Sequence, residues 1–396
     1  MIETFPENMD AYVVSAARTP VGKYGKAFLN VSAQDLGKIA VIEALKRANI
    51  STNDVDEVIM GNVLQCGLGQ NPARQVALNA NLPNTIPAFT LNKVCGSGLK
   101  AVMLAAQSIR AGDQDIVVAG GMENMSQAPY YMRGARFGLK YDNTTLYDEM
   151  IMDGLWDAYY NVHMIKTGEV ISEKYNLTRE EIDLFAYESH MKAHKATLDG
   201  TFSKEIVPVK TDTGIVDKDE GIRPDTTPDK LAKLKPALKD GKYVTAGNAS
   251  QLSDGGAAVV VMSERRMKEL DLEPMARIIS YNTSGVDPLY VMEAPVPGVK
   301  ALLQKTGLSI KDIDVFEHNE AYASASLAVK KALNVPDNIF NIHGGAVALG
   351  HPIGASGARV LTTLLYALIE RKGRYGIATI CLGGGNAVSV LIENMR

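Results

Sequence analysis

The chain reads as an α/β protein made of two copies of one strand–helix unit, with a long inserted region between their matching parts. In the first 121 residues short apolar runs alternate with segments of helical periodicity, the pattern of a mostly parallel sheet covered on both faces. The last third then repeats landmarks of the first. Ser51, Asp54, Val55 and Asp56 match Ser309, Asp312, Ile313 and Asp314; Ser97-Gly98 matches Ser356-Gly357; Gly112 ahead of an apolar run at Ile116 matches Gly373 ahead of one at Ile377. The three offsets agree at roughly 260 residues, which divides the chain into two related halves. Under this mapping Cys95 falls on Gly354 and Gly61 on Asn319.

Taken in order, Ala11 to Ala16 reads as a strand leading to the polar turn Arg18-Thr19-Pro20. Ser32 and Asp35 resemble a capping box for a helix reaching about Asn49. Val55 to Val63 is a strand candidate, Asn71 to Asn79 a helix and Ala88 to Leu91 a strand. Leu99, Val102, Met103 and Ala106 fall at helical spacing, and Asp115 to Gly121 is a short apolar strand. From Met122 to about Ser250 the texture turns polar and rich in Tyr and Met, and within this insertion Thr178 and Glu181 form a second capping box. Asp217 to Asp240 reads as an exposed loop bearing Lys230, Lys233, Lys235 and Lys239, a pattern that most often marks a solvated face. The expected units are residues 1–121 with 251–272, an inserted domain at 122–250, and a second half at 273–396.

Composition excludes several classes. With 46% hydrophobic and 22% charged residues the chain is an ordinary globular protein, and a net charge of −4 gives no global attraction to nucleic acid or an anionic membrane. Cys66, Cys95 and Cys381 are too few and too far apart for a disulfide framework or a thiolate zinc site. Glu3, Glu7 and Asp10 stand where a secretory leader would be basic and then apolar, and no run is long enough to span a membrane, so the cytoplasm is the expected compartment.

The chemistry concentrates at glycine-flanked turns. Val94-Cys95-Gly96-Ser97-Gly98 places a thiol between a strand and a helix, where the positive end of the helix dipole would favour thiolate. The glycines would let the chain turn sharply there. The same cysteine could equally be an inert core thiol. The second half offers three further stretches: Glu317 to Ala323, Gly350 to Gly357, and Cys381-Leu382-Gly383-Gly384-Gly385. A cysteine nucleophile needs a base, donors for an oxyanion and, for carbon–carbon chemistry, a second base. His351 suits the first role, Asn319 and backbone N–H groups the second, and Cys381 the third. His190 and His194 stand at i and i+4, but no third ligand or glutamate base accompanies them, so no metal is expected. Neither GxGxxG after a strand nor GxxxxGK[ST] is present, so nucleotide phosphate loops are not supported.

Together these stretches resemble the thiolase family. Besides the motifs already given, Val14 to Pro20, Gly120 to Ser126, Ala246 to Ser250 and Gly344 to Arg359 carry the resemblance, which covers essentially the whole chain. It implies a duplicated fold of five layers, αβαβα, with an inserted loop domain that binds CoA. It further implies an acetyl-CoA acetyltransferase interconverting two acetyl-CoA with acetoacetyl-CoA and CoA. Cys95, deprotonated by His351, would carry the acetyl group, and Cys381 would take a proton from C2 of the second acetyl-CoA. Asn319 would hold a water that, with His351, stabilises the thioester oxygen, and the N–H groups of Cys95 and Gly383 would form the acyl-enzyme's oxyanion hole. Arg223 and nearby lysines would meet the nucleotide end of CoA, and Ser250 the pantetheine arm. His163-Met164 resembles the pair that narrows the acyl pocket in short-chain members. Ala246, Leu252, Ala321 and Tyr322 complete the expected binding set. No metal or redox cofactor is implied, the expected partners are the CoA thioesters alone, and the expected assembly is a homotetramer, a dimer of dimers.

The chain departs from the family pattern at Gly168, Val170, Gln251, Ser253 and Asn386-Ala387, and Tyr322 stands where Phe is common. These departures bear on specificity. Competing readings are a broader-chain 3-ketoacyl-CoA thiolase, a condensing synthase of the same superfamily, and a non-catalytic acyl-CoA-binding protein that kept the fold. A second catalytic cysteine at the position of Cys381 is not a feature of the synthases.

Overall fold

The computed structural model describes residues 10–141 and 143–396, so the expectation drawn from Glu3 and Glu7 lies outside the described residues. The first half contributes β1 (Ala11–Arg18), α1 (Ala33–Ala48), β2 (Glu57–Gly61), α2 (Pro72–Asn79), β3 (Ala88–Leu91), α3 (Ser97–Ala111), β4 (Ile116–Asn124) and, after the insertion, β5 (Ser253–Ser263). The longest helix of the insertion is α4 (Arg179–Leu198). The second half contributes β6 (Ala276–Gly285), α5 (Pro295–Thr306), β7 (Val315–His318), α6 (Ala323–Leu333), α7 (Ile353–Arg371), β8 (Tyr375–Leu382) and β9 (Asn386–Asn394).

These strands follow one hydrogen-bonded path, β7-β8-β9-β6-β1-β5-β4-β2-β3, with the halves joined where β1 and β6 pair at Tyr12, Val13, Ala276 and Arg277. Outward from that seam each half repeats the same order. β1, β5, β4, β2 and β3 correspond to β6, β9, β8, β7 and an isolated parallel bridge between Phe316 and Phe340. The duplication read from spacing is therefore present as repeated topology. The sheet is mixed rather than mostly parallel: β2 pairs in parallel with β3 and β4, and β7 with β8, while the other pairings along the path are antiparallel. In the second half the physical reason is the connection. β8 and β9 are joined by a glycine turn, with Gly384 and Gly385 both at positive φ, and a hairpin can only be antiparallel.

Three apolar clusters define the layers. α1 and α2 pack on one face of the first half's strands, through residues such as Val41, Leu45 and Val76. α5 and α6 cover the far face of the second half, through Val299, Leu302 and Val329. Between the two sets of strands lie α3 and α7, whose Leu99, Val102, Val360 and Leu364 join residues of both halves in one core. The arrangement is αβαβα, and it encloses α7 on nearly all sides, which explains why fifteen of α7's residues are buried.

Local signals set the elements. Ser32 accepts the Asp35 N–H to cap α1, which ends at Asn49 in the left-handed conformation. Thr178 and Glu181 form the reciprocal capping box of α4. The segment 217–240 departs from a plain exposed loop. Asp219 is buried and bonds the guanidinium of Arg18, itself fully buried, at 2.7 Å, while Glu205 takes the Nε side at 2.5 Å. Arg18 thus pins the insertion to the end of β1. Of the lysines there, Lys230 pairs with Asp225 across a short helix capped by Thr227.

Candidate active site

The central layer aims its helix starts at one cavity of about 290 Å³. Its walls bring together Cys95, His351, Cys381, Gly383, Ser250, His163, Met164, Leu252, Ala321 and Tyr322. Asn319 is fully buried and does not line it, and Arg223 and Ala246 also lie outside the lining. Met125, Met150, Leu155, Val291, Met292 and Ile353 make up much of the rest, and only Met125 and Ile353 of these stand within the stretches that carry the family resemblance. Met150–Leu155 forms a π-helical turn, an element often found at functional sites. For Met125, Met150 and Leu155 the Tyr- and Met-rich texture of the insertion was the available signal, but texture does not say which side chains point inward; Val291, Met292 and Ile353 lie outside the insertion.

Cys95 sits on the turn between β3 and α3. Val94 before it has φ +47°, a strained conformation for a β-branched residue. Ser97 holds this turn, donating its hydroxyl to the Val94 carbonyl at 2.7 Å while accepting the Lys93 N–H at 2.8 Å. The glycines serve packing rather than turning. A Cβ on Gly96 would collide with Leu382 and Val388, and one on Gly98 would lie 2.8 Å from the Ala358 nitrogen.

The sequence favours a thiolate at Cys95, but burial decides otherwise and pushes the thiol up to about 12. The N–H groups of Gly383 and of Cys95 itself donate to the sulfur and offset only part of that rise, while Glu123 adds to it. Two backbone donors therefore already converge where Cys95 would react. Cys381, near the end of β8, contacts the sulfur of Met292 at 3.8 Å; its thiol is raised by burial and further by the neighbouring Cys95.

His351 follows a Gly350 at φ +114° and is fixed at the start of α7. Its N–H reaches the Gln251 carbonyl and the Ser253 hydroxyl, both at 3.2 Å, tying it to the strand that returns from the insertion. Its Nδ1 lies 2.6 Å from Ser356 Oγ, and its Nε2 has no hydrogen-bond partner among the described residues. Burial pushes the imidazole down to about 3, and the Arg359 guanidinium in the second turn of α7 adds to this, so the ring is neutral. Glu123, at the end of β4, accepts N–H bonds from Val63 and Leu64 at 3.1 Å and from Gly354 at 2.8 Å, joining the strand ends of the first half to the start of α7.

Asn319 lies just past β7 with neither amide atom taken by a protein group among the described residues. Ser250 donates its N–H to the Ala321 carbonyl at 3.0 Å, and Ala249 bridges to Tyr322, so the loop leaving the insertion is docked beside Asn319. His163 accepts the Ile165 N–H at 3.1 Å, which fixes its ring on the cavity wall. His190 is occupied differently from a ligand: its Nδ1 accepts the Arg223 N–H at 3.1 Å, and burial pushes it down to about 4.

A duplicated five-layered fold with two cysteines and a neutral histidine around one apolar cavity is the setting of a thioester-transferring enzyme, and comparison with known proteins agrees. The family model described as thiolase, N-terminal domain, matches residues 11–265, and that described as thiolase, C-terminal domain, matches 272–394. A probable acetyl-CoA acyltransferase of Staphylococcus epidermidis is 48% identical over 386 residues, covering 96% of this chain and 98% of that protein. One of Staphylococcus aureus is 48% identical over 394 residues, covering 98% of this chain and all of that protein. The chain belongs to the thiolase family of acyltransferases.

Proposed function

We propose that this protein is an acetyl-CoA acetyltransferase, interconverting two acetyl-CoA with acetoacetyl-CoA and CoA through an acetyl-cysteine. The observation that carries the reading is the convergence of Cys95, Cys381 and a neutral His351 on one small apolar cavity. In the resting site both thiols are protonated and the imidazole is uncharged. A standing thiolate–imidazolium pair is therefore disfavoured, and the proton moves as the new bond forms. The Cys95 S–H proton passes to His351 Nε2 while sulfur attacks the thioester carbon. The N–H groups of Cys95 and Gly383 receive the oxyanion, and its collapse expels CoA thiolate, which takes the proton from His351.

Carbon–carbon bond formation then uses the second thiol. His351 takes the Cys381 proton, and the Cys381 thiolate removes a proton from C2 of the second acetyl-CoA. The resulting enolate attacks the acetyl group, and His351 returns its proton to the departing Cys95 thiolate. Burial that raises the Cys381 thiol makes its thiolate a stronger base, which suits a weak carbon acid. The unfilled hydrogen-bonding capacity of Asn319 and of His351 Nε2 supports a water held between them and the thioester oxygen.

The remaining expectations keep their place in this reading. The insertion at 122–250 is the CoA-binding loop domain between halves at 1–121 with 251–272 and at 273–396, with Arg223 towards the nucleotide and Ser250 on the pantetheine. CoA thioesters are the substrates, no resident cofactor or metal takes part, and the enzyme works in the cytoplasm as a dimer of dimers. The exposed Tyr130, Phe137, Leu139, Tyr141 and Leu146, grouped on one arm of the insertion, support assembly with other copies. No helix among the described residues is long and apolar enough to cross a membrane. A broader-chain 3-ketoacyl-CoA thiolase is the second reading, favoured by the four methionines in the cavity wall, whose flexible side chains can repack around a longer acyl group.

The test is to incubate the protein with acetoacetyl-CoA and CoA, follow acetyl-CoA, and map acetylation by mass. Turnover by Cys95→Ala, or a wild type that never carries acetyl on Cys95, would sink the proposal.

A further inference from the structure

The two halves place a serine at the same position of their central helices, Ser97 in α3 and Ser356 in α7. In the first half Ser97 donates to the Val94 carbonyl and accepts the Lys93 N–H, which leaves no freedom in the direction of its proton. Ser356 has the same kind of surroundings. Its Oγ is 2.9 Å from the Pro352 carbonyl and 2.6 Å from His351 Nδ1, and the residue is fully buried. A hydroxyl has one proton and a carbonyl can only accept. Both contacts are hydrogen bonds only if Ser356 donates to Pro352 and accepts from Nδ1–H. The opposite choice sets two oxygen lone pairs against each other 2.9 Å apart in a buried place.

We propose that Ser356 is a positioning residue that fixes His351 as its Nδ1–H tautomer, leaving the bare lone pair on Nε2 to take the Cys95 proton. This rests on the acetyltransferase reading only for where the proton goes; the tautomer itself does not depend on the substrate. When Nε2 gains the Cys95 proton, an N–H bond forms as the S–H bond breaks, and Ser356 goes on accepting from Nδ1–H without turning. The imidazolium is thus met by an acceptor already in place. The duplicated serine accordingly has one task in each half: Ser97 holds the nucleophile's turn, and Ser356 holds the base.

Neutron diffraction from the wild-type protein near pH 7 tests this directly, with a deuteron expected on His351 Nδ1 and none on Nε2. A deuteron on Nε2 overturns the proposal whatever the enzyme's substrate is. Kinetics supply the second arm. Ser356→Ala should lower kcat/KM about 10- to 100-fold, the usual cost of losing such a supporting partner, with a similar melting temperature. The rate at which iodoacetamide alkylates Cys95 should fall in parallel, since that reaction needs the same base and no CoA. Ser356→Thr, which keeps the hydroxyl, should recover much of the alkylation rate. Unchanged alkylation in a folded Ser356→Ala overturns the positioning role. Absent thiolase turnover in a wild type showing the expected deuteron and alkylation pattern would count against the acetyltransferase reading alone.

Discussion

Gly98 of α3 and Gly357 of α7 occupy equivalent positions of the two halves and press on each other's helices: a Cβ on Gly98 would lie 2.8 Å from the Ala358 nitrogen, and one on Gly357 would collide with the Leu99 nitrogen. This reciprocal contact sets how close the helix carrying Cys95 at its start comes to the helix carrying His351. Substituting either glycine by alanine should destabilise the protein by about 1–3 kcal/mol through overpacking. It should also lower the acetylation rate of Cys95 by moving nucleophile and base apart. Chemical denaturation and single-turnover mass spectrometry measure the two effects, and full stability in either variant would contradict this packing.

Cys381 is too well buried to be a freely ionised thiol, and its assigned work is on carbon. Cys381→Ala should still acetylate Cys95 from acetyl-CoA. Its formation of acetoacetyl-CoA should drop about 10²- to 10⁴-fold, the range for loss of a general base. If acetylation is lost as well, the two cysteines do not divide the labour.

Tyr322 lines the cavity and its hydroxyl has no protein partner among the described residues, so Tyr322→Phe removes no internal bond. Stability should change by less than about 0.5 kcal/mol. Freed volume and lost polarity should raise kcat/KM for 3-oxopentanoyl-CoA relative to acetoacetyl-CoA, by up to about tenfold, since one methylene in an apolar pocket discriminates on this scale. A ratio unchanged from wild type would place the determinant elsewhere on the wall.

Burial holds His190, His318 and His351 neutral, at about 4, 3 and 3. The unfolded chain binds protons on histidine at about pH 6.5, well above these values. The stability they contribute is therefore complete above that pH and is lost as pH falls towards 4 and 3. Glu317, raised by burial to about 8, has the opposite sign, losing its contribution as pH rises through 8. A comparison of variants isolates one group. His318→Asn, which can keep the bond that Nδ1 makes to Ser326 Oγ at 2.8 Å, should lose stability less steeply than wild type between pH 6.5 and 5 in urea titrations. Parallel curves for the two proteins would show that His318 is not held neutral.

Much of this protein could be read from its residues in order. Helix caps at Ser32 and Thr178, the landmarks shared by its two halves, and the motifs around Cys95, His351 and Cys381 are local patterns, and local backbone preferences and hydrogen bonds follow from them directly. What the tertiary structure alone decided depends on groups far apart in the chain. Arg18 looked like part of a polar turn, yet Glu205 and Asp219 make it a buried anchor for the insertion. Asp219 lay in what looked like an exposed loop, and Met150 of the cavity wall was only part of a texture until the chain packed. Cys95 is the clearest case. Its place before a helix argued for a thiolate, but the half-buried Cys95 packs against both halves, and the desolvation that follows outweighs the nearby N–H donors. Sequence determined which groups could react; only packing around them determined which are charged before reaction begins, because the cost of a charge is set by everything that surrounds it.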